Sequence, residues 1–146
     1  DPLIIVNNDE IRDVDYNKVL GFYENTGADA GMISFDNFHP RWTYIRTEGD
    51  LVVEVAEKKP ISRNAVTGFY YYQHGEDFVE AAKRRIRKGN GANGIYYVSG
   101  SMNELILQNK KVAHYKIAPQ RYHSLYSMEK IKAYERREKA NEDGED

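Results

Sequence analysis

The pattern of apolar and polar positions alternates between strand-like and helix-like segments. A continuous apolar, mostly β-branched run at 3–6 ends at Asn-Asn-Asp and predicts a strand buried on both faces, as in a parallel sheet. Residues 14–25 carry apolar side chains at helical spacing, with an aspartate before them and Gly27 after them as capping residues. With a second short apolar strand at 31–35, the chain is predicted to open with a strand–helix–strand unit.

The middle of the chain predicts antiparallel strands and one helix. Strands at 42–47 and 51–56 flank the turn Glu48-Gly49-Asp50 and form a hairpin. An aromatic strand follows at 65–72, and residues 76–87 form an amphipathic helix.

The last third of the chain predicts mainly helices. A short strand or loop is expected at 93–98, a helix at 101–108, a strand at 111–117 and a charged helix at 127–139. The acidic residues 141–146 predict a frayed or disordered tail. The overall prediction is an α/β domain over residues 1–139 with a tail at 140–146, in which a parallel strand pair leads into a mixed sheet with flanking helices.

Composition removes several classes of function. The 146 residues include 21 Lys plus Arg, 23 Asp plus Glu and no cysteine. The balance argues against general nucleic-acid binding, and the missing thiols exclude disulfides, Cys-ligated zinc and thiol catalysis. The absence of cysteines fits a reducing, cytoplasmic setting, which we expect for this domain. The apolar runs are too short to cross a bilayer, so no membrane partner is expected. Because Asp1-Pro2 leads at once into a strand, we also expect the chain to be part of something longer.

Three places combine residues that suit phosphate or sugar chemistry. Asp9 directly follows a buried strand, where a carboxylate can hold Mg²⁺ against phosphate oxygens or can merely end the strand. Glu57 can accept from sugar hydroxyls and Lys58 can hold a phosphate, although Glu-Lys-Lys is also common in exposed turns. Thr67-Gly68 interrupts an aromatic strand, which indicates close approach of a ligand, a bulge or tight packing.

Other candidate motifs are weaker. The histidines at 39, 74, 114 and 123 fit no zinc spacing, and the basic run on the predicted helix 76–87 is typical of a solvated face. Asp13-Val14-Asp15 has the form of a glycosyltransferase metal motif but lies where a helix begins, so capping explains it better. The aromatic residues 69–72 alternate faces along their strand, so one face is expected to belong to the core, which is the favoured interpretation. The other face could line a cleft or, with the Tyr-rich end, contribute a contact in a homo-oligomer.

Several segments, taken in order, carry a resemblance. They are Pro2 to Asp9, His39 to Tyr44, Val52 to Ser62, Ala65 to Tyr72, Asn93 to Val98 and Asn103 to Ile106. Together they resemble the sugar-phosphate nucleotidylyltransferases, the family of glucose-1-phosphate thymidylyltransferase, over about residues 2 to 135. The most specific combination is Glu57-Lys58 followed by Ala65-Val66-Thr67-Gly68-Phe69-Tyr70.

The resemblance implies a Rossmann-like nucleotidyltransferase fold, of which this chain is the C-terminal, sugar-binding half. It implies a reaction between a sugar-1-phosphate and a nucleoside triphosphate that gives a nucleotide sugar for polysaccharide or lipopolysaccharide synthesis, with Mg²⁺ as cofactor. Asp9 is implied as the metal ligand and, with Lys58, as catalytic. Glu57 is implied to bind sugar hydroxyls and Lys58 the sugar phosphate, while Thr43, Thr67 and Gly68 are implied to line the sugar pocket.

Four departures from the family pattern leave alternatives open. Its Gly-rich triphosphate loop would lie in an N-terminal half, Ser124 stands where a second metal-binding Asp is expected, and Ile95 replaces a glutamate. Tyr126 likewise stands at a glycine position. A non-catalytic sugar-phosphate binding or regulatory domain of the same fold, and a glycosyltransferase, are therefore the alternative interpretations.

Overall fold

In the computed structural model, residues 1–88, 98–124 and 128–143 are described. The strands of these ranges are β1 (Leu3–Val6), β2 (Glu10–Arg12), β3 (Ala30–Asp36), β4 (Thr43–Glu48), β5 (Leu51–Ala56), β6 (Asn64–Tyr72), β7 (Val112–Lys116) and β8 (Tyr122–Ser124). The helices are α1 (Tyr16–Thr26), α2 (Gly75–Lys88), α3 (Val98–Leu107) and α4 (Met128–Asp143), with a short 3-10 helix at Pro119–Arg121. The fold is mixed α/β, as predicted.

The main sheet has the order β1-β6-β3-β7-β5-β4. Strand β6 is its most connected member, because β3 pairs along one edge while β1 and β4 share the other. Strand β4 also pairs with β5, β5 with β7, and β7 with β3. The strands β6, β4, β5, β7 and β3 therefore form a closed ring of paired strands. A separate two-stranded sheet joins β2 to β8.

The prediction for β1 was wrong in two respects. The strand runs antiparallel to β6, and its side chains alternate: Leu3 and Ile5 point towards the core, whereas Ile4 and Val6 are 45% and 51% exposed. Strands β1 and β3 also do not pair, because β6 lies between them, so the predicted parallel pair at the start of the chain does not form. Among the described strands, the parallel pair is β3 with β7.

Helix α1 has the predicted caps at both ends. The Asp15 side chain accepts from the backbone N–H of Asn17 at 3.0 Å, and Gly27 takes the left-handed conformation (φ 68°) that ends a helix. Capping is therefore what Asp15 does in the motif Asp13-Val14-Asp15.

The core has two parts, one on each face of the sheet. Helices α2 and α3 pack on one face around Tyr72, Met102 and Leu105. Helix α1 packs on the other face, where Tyr23 is fully buried and donates from its hydroxyl to the Met32 carbonyl at 2.6 Å.

The C-terminal part differs from prediction mainly at element ends. Helix α3 begins at Val98, earlier than the predicted residue 101, and the rest of the predicted segment 93–98 lies outside the described residues. Helix α4 continues to Asp143, into the segment predicted as a tail, whereas 144–146 lie outside the description. None of the described helices has the length and apolar character needed to span a membrane.

Candidate functional site

An irregularity in β6 creates the surface on which the candidate site is built. Met32 pairs with Tyr70 and Ser34 pairs with Val66, so three residues of β6, from 67 to 69, lie opposite the single residue Ile33 of β3. Such a bulge bends a strand and re-aims its backbone groups. Thr67-Gly68 therefore interrupts the strand as a bulge, one of the alternatives that the sequence left open.

The backbone of Gly68 is fixed from two sides. Its carbonyl accepts from the backbone N–H of Asn7 at 2.8 Å, and its own N–H donates to Oε2 of Glu10 at 2.7 Å. A Cβ at position 68 would lie 2.2 Å from Nδ2 of Asn7, so tight packing against Asn7 requires the glycine here.

Glu10 is the centre of a buried polar cluster beneath the bulge. Besides Gly68 it accepts from Nη1 of Arg12 at 2.5 Å and from the hydroxyl of Tyr122 at 2.7 Å. The side chains of Arg12 and Glu10 are only 6% and 8% exposed. Burial, together with the nearby Glu10 carboxylate, raises the pKa of Tyr122 well above its ordinary value, so this phenol stays a hydrogen-bond donor.

A cleft of about 400 Å³ opens above this cluster, at the carboxyl end of β1. It brings together four residues that the sequence proposed for the site: Asp9, Thr43, Thr67 and Gly68. The lining also includes Arg41, Trp42, Ser99, Tyr122 and Ser124. Asp9 is exposed at the rim, whereas Thr67 is only 1% exposed and belongs to the floor.

Thr67 has an unsatisfied polar atom. Its Oγ1 is buried and has no hydrogen-bond partner among the described residues. A buried hydroxyl without a partner costs about 1–3 kcal/mol. Such an atom beside a cleft is where a ligand hydroxyl or a water molecule would lower the energy of the protein.

Glu57 and Lys58 are not among the described residues that line this cleft. Glu57 follows β5 and lies 3.8 Å from Nη2 of Arg85, and it accepts from the hydroxyl of Ser99, which does line the cleft. Burial raises the pKa of Glu57, while Arg85, Ser99 and Lys58 partly oppose the shift. Lys58 is exposed in the turn after β5, with a left-handed φ of 53°.

The donor set at the cleft suits one kind of metal binding. Among the described residues, no three His, Cys, Asp or Glu side chains group closely enough to form a protein-only metal site. Glu10 is already bonded to Arg12, Gly68 and Tyr122, so Asp9 is the carboxylate at the rim that is left for a cation. One carboxylate fits a Mg²⁺ ion that takes its other ligands from substrate phosphates and water.

Sequence reasoning missed Glu10, Ser99 and Tyr122. Glu10 directly follows Asp9 and has the composition of an exposed turn, so nothing local marks it as buried. Ser99 falls in a segment of uncertain type, and Tyr122 belongs to a strand too short to give a periodic pattern. Asp13 and Asp15 do not line the cleft.

The fold is shared with solved structures of sugar nucleotidyltransferases. One is a nucleoside-diphosphate-sugar pyrophosphorylase from Vibrio cholerae RC9, with 22% identity, a TM-score of 0.80 and a match covering 92% of this chain and 56% of that one. Another is a proposed glucose-1-phosphate thymidylyltransferase from Bacillus anthracis, solved with sucrose, with 17% identity, a TM-score of 0.68 and coverage of 91% and 52%.

These likenesses define the fold class, a mixed α/β sheet with flanking helices similar to nucleotidyltransferase structures. The chain spans about half the length of each of these two proteins. No protein-family model matches the sequence, and the comparison with curated proteins gives no match.

Proposed function

We propose that this chain supplies the sugar-binding part of a sugar-phosphate nucleotidyltransferase site. The observation that carries the proposal is that Asp9, Thr43 and the pair Thr67-Gly68, which lie in three separate segments of the sequence, line one cleft. The shared fold with two nucleotide-sugar enzymes supports the same conclusion. The substrates would be a sugar-1-phosphate and a nucleoside triphosphate.

The floor of the cleft suits recognition of a sugar. A sugar hydroxyl both donates and accepts, and the orphaned Oγ1 of Thr67 and the hydroxyl of Ser99 offer matching partners. Thr43 also lines the cleft, on β4, where it pairs with Val66, the residue before Thr67. The Gly68 backbone, held by Asn7 and Glu10, keeps this floor rigid, so binding does not have to order it.

Glu57 and Lys58 belong to the proposal through the family resemblance. Glu57 would bind sugar hydroxyls, and its hydrogen bond to Ser99 connects it to the cleft wall. Lys58 would hold the sugar phosphate as a point charge. Because neither residue lines the cleft, both roles depend on a movement of these side chains when substrate binds.

In the proposed reaction an oxygen of the sugar phosphate attacks the α-phosphorus of the triphosphate. A new bond from that oxygen to the α-phosphorus forms, the bond from the α-phosphorus to the bridging oxygen breaks, and pyrophosphate leaves. Such transfer needs alignment and charge neutralisation more than covalent help. Mg²⁺, when bound, would neutralise phosphate charge, and Asp9 would hold it at the rim.

Titration calorimetry with glucose-1-phosphate, with and without Mg²⁺, tests the proposal directly. We expect saturable binding that Thr67→Val weakens about tenfold, because a hydroxyl partner is lost without a change of shape. Asp9→Asn should remove the effect of Mg²⁺. The matched controls are Thr47→Val on β4 and Asp36→Asn on β3, neither of which lines the cleft. If no sugar phosphate binds, or if the controls weaken binding equally, the proposal is wrong.

The second candidate is a sugar-phosphate binding domain without turnover. Ser124 stands where the family pattern expects a second metal-binding Asp, and it pairs with Glu10, whose carboxylate is fully engaged. Among the described residues, the rim therefore offers Asp9 as its one available carboxylate. This candidate predicts that sugar phosphate binds while triphosphate and Mg²⁺ give no pyrophosphate, even in the complete polypeptide.

A further inference from the structure

A second cavity of about 280 Å³ lies next to the cleft and shares its wall. Four residues line both spaces: Arg41, Trp42, Tyr122 and Ser124. The two spaces are therefore neighbours along the surface that these residues form. We call this second cavity the side pocket.

The described side chains that line the side pocket give it a positive charge. Arg41 and Arg137 both line it, and none of the described residues that line it is an aspartate or a glutamate. Arg137, from α4, places Nη1 3.0 Å from Nε2 of His123, another lining residue, so the imidazole ring holds the guanidinium at the pocket wall. Neighbouring Glu138 lines a different cavity together with Arg137.

The walls of the side pocket are preformed. Phe35 and Tyr122 stack with ring centroids 4.5 Å apart, and Trp42 meets both rings edge-on at 5.6 and 5.4 Å. The Arg41 guanidinium lies over the Trp42 ring at 4.9 Å. The indole N–H of Trp42 is buried without a hydrogen-bond partner among the described residues. Guanidinium and indole groups only donate, so an acceptor-rich, negative group complements them.

We propose that the side pocket binds a second anionic group of the sugar phosphate held in the cleft. The substrate class would then be an acidic sugar phosphate, with a carboxylate or a further phosphate at the end of the sugar remote from C1. This inference rests on the proposed function, since it assumes a sugar phosphate in the cleft. Arg137 is the specificity residue, because it lines the side pocket and not the cleft.

The test compares two ligands that differ at one carbon. Glucuronic acid 1-phosphate carries a carboxylate where glucose-1-phosphate carries a hydroxymethyl group. We expect the acidic sugar to bind about tenfold more tightly, or better, because hydrogen bonds to charged groups are the strong ones. Trp42 is the single tryptophan and lines both spaces, so its fluorescence reports binding of either ligand.

The decisive variant is Arg137→Gln, and its matched control is Arg136→Gln. Both arginines are exposed on α4, but only Arg137 lines the side pocket. Arg137→Gln should abolish most of the preference for glucuronic acid 1-phosphate while leaving the affinity for glucose-1-phosphate within about twofold. Arg136→Gln should leave both affinities unchanged.

The outcomes separate this inference from the proposed function. Equal affinities for the two sugars, with both binding, would overturn the acidic-sugar specificity and leave the cleft assignment standing. Weakened binding of a nucleoside triphosphate in Arg137→Gln, without an effect on either sugar, would instead assign the side pocket to the nucleotide and overturn the inference. Failure of both sugars to bind would overturn the proposed function itself.

Discussion

Replacing Glu10 by Gln should destabilise the protein far more than the loss of one surface charge would. The carboxylate accepts from Arg12, Gly68 and Tyr122 at distances of 2.5 to 2.7 Å. A glutamine keeps the shape but is neutral and offers a single acceptor oxygen, so it cannot accept all three of these hydrogen bonds. Arg12, only 6% exposed, would then keep its charge without a carboxylate.

The magnitude follows from the burial of the pair. Removing one partner of a buried ion pair costs about 3–5 kcal/mol, because the other charge remains desolvated. Glu54→Gln provides the matched control, since Glu54 pairs with Arg46 at 3.0 Å but both side chains are about half exposed. Exposed pairs contribute about 0.2–1 kcal/mol. The same chemical change should therefore differ several-fold in its effect on the free energy of unfolding.

Urea unfolding followed by far-UV circular dichroism measures both changes. Glu10→Gln should lower the midpoint strongly at an unchanged m-value, and Glu54→Gln should barely move it. Equal and small shifts in the two variants would refute the argument that the Glu10 pair is buried and structural.

A double-mutant cycle with Arg12→Met sharpens the argument. Because Arg12 is then no longer a buried charge, adding Glu10→Gln should cost less than it does in the parent protein. Additive effects of the two substitutions would mean that Glu10 acts through Gly68 and Tyr122 alone.

Three further predictions concern other parts of the fold. Gly31→Ala should lower the free energy of unfolding by about 1–3 kcal/mol, because a Cβ there would clash with the buried Tyr23 ring. Gly21→Ala, in open space on α1, should instead raise it by up to about 1 kcal/mol, and thermal unfolding of both variants measures the difference. Burial lowers the pKa of His114, so the unfolded chain binds the proton more tightly than the folded protein does. The free energy of unfolding should therefore fall as the pH drops below about 6.5. In urea titrations at several pH values, His114→Gln should reduce this pH dependence, whereas the control His74→Gln should retain it. Asp15→Ala should cost about 1 kcal/mol by thermal unfolding, through loss of the cap on Asn17, and an unchanged midpoint would contradict the capping role.

Elements with local signals were predictable from the sequence. The hairpin of β4 and β5 has alternating residues around Glu48-Gly49-Asp50, and β5 begins and ends where it was predicted. Helix α1 carries its caps in the sequence. The placement of β1 was not predictable, because a four-residue apolar run is the same in a parallel and an antiparallel sheet and its partner β6 lies far along the chain.

The candidate site was predictable only in part. Asp9, Thr43, Thr67 and Gly68 line one cleft, whereas Glu57 and Lys58 are not among its lining residues. The roles of all six residues towards a ligand stay predictions. Glu10 could not be found, because its burial depends on β8 folding back to pair with β2. The pairing that places Ser124 beside Glu10 also joins strands that are far apart in the sequence, so it could not be predicted. This pairing brings a serine, and not a further carboxylate, next to Glu10.

Two adjacent residues of β6 differ in what the fold requires of them. Gly68 is required by the packing of Asn7, whatever the protein binds, whereas Thr67 buries a hydroxyl that no described part of the chain uses. A random library selected for soluble expression alone should therefore retain glycine at 68 and accept valine at 67. A library selected for ligand binding should retain both residues, so the difference between the two outcomes separates what the fold needs from what the ligand needs.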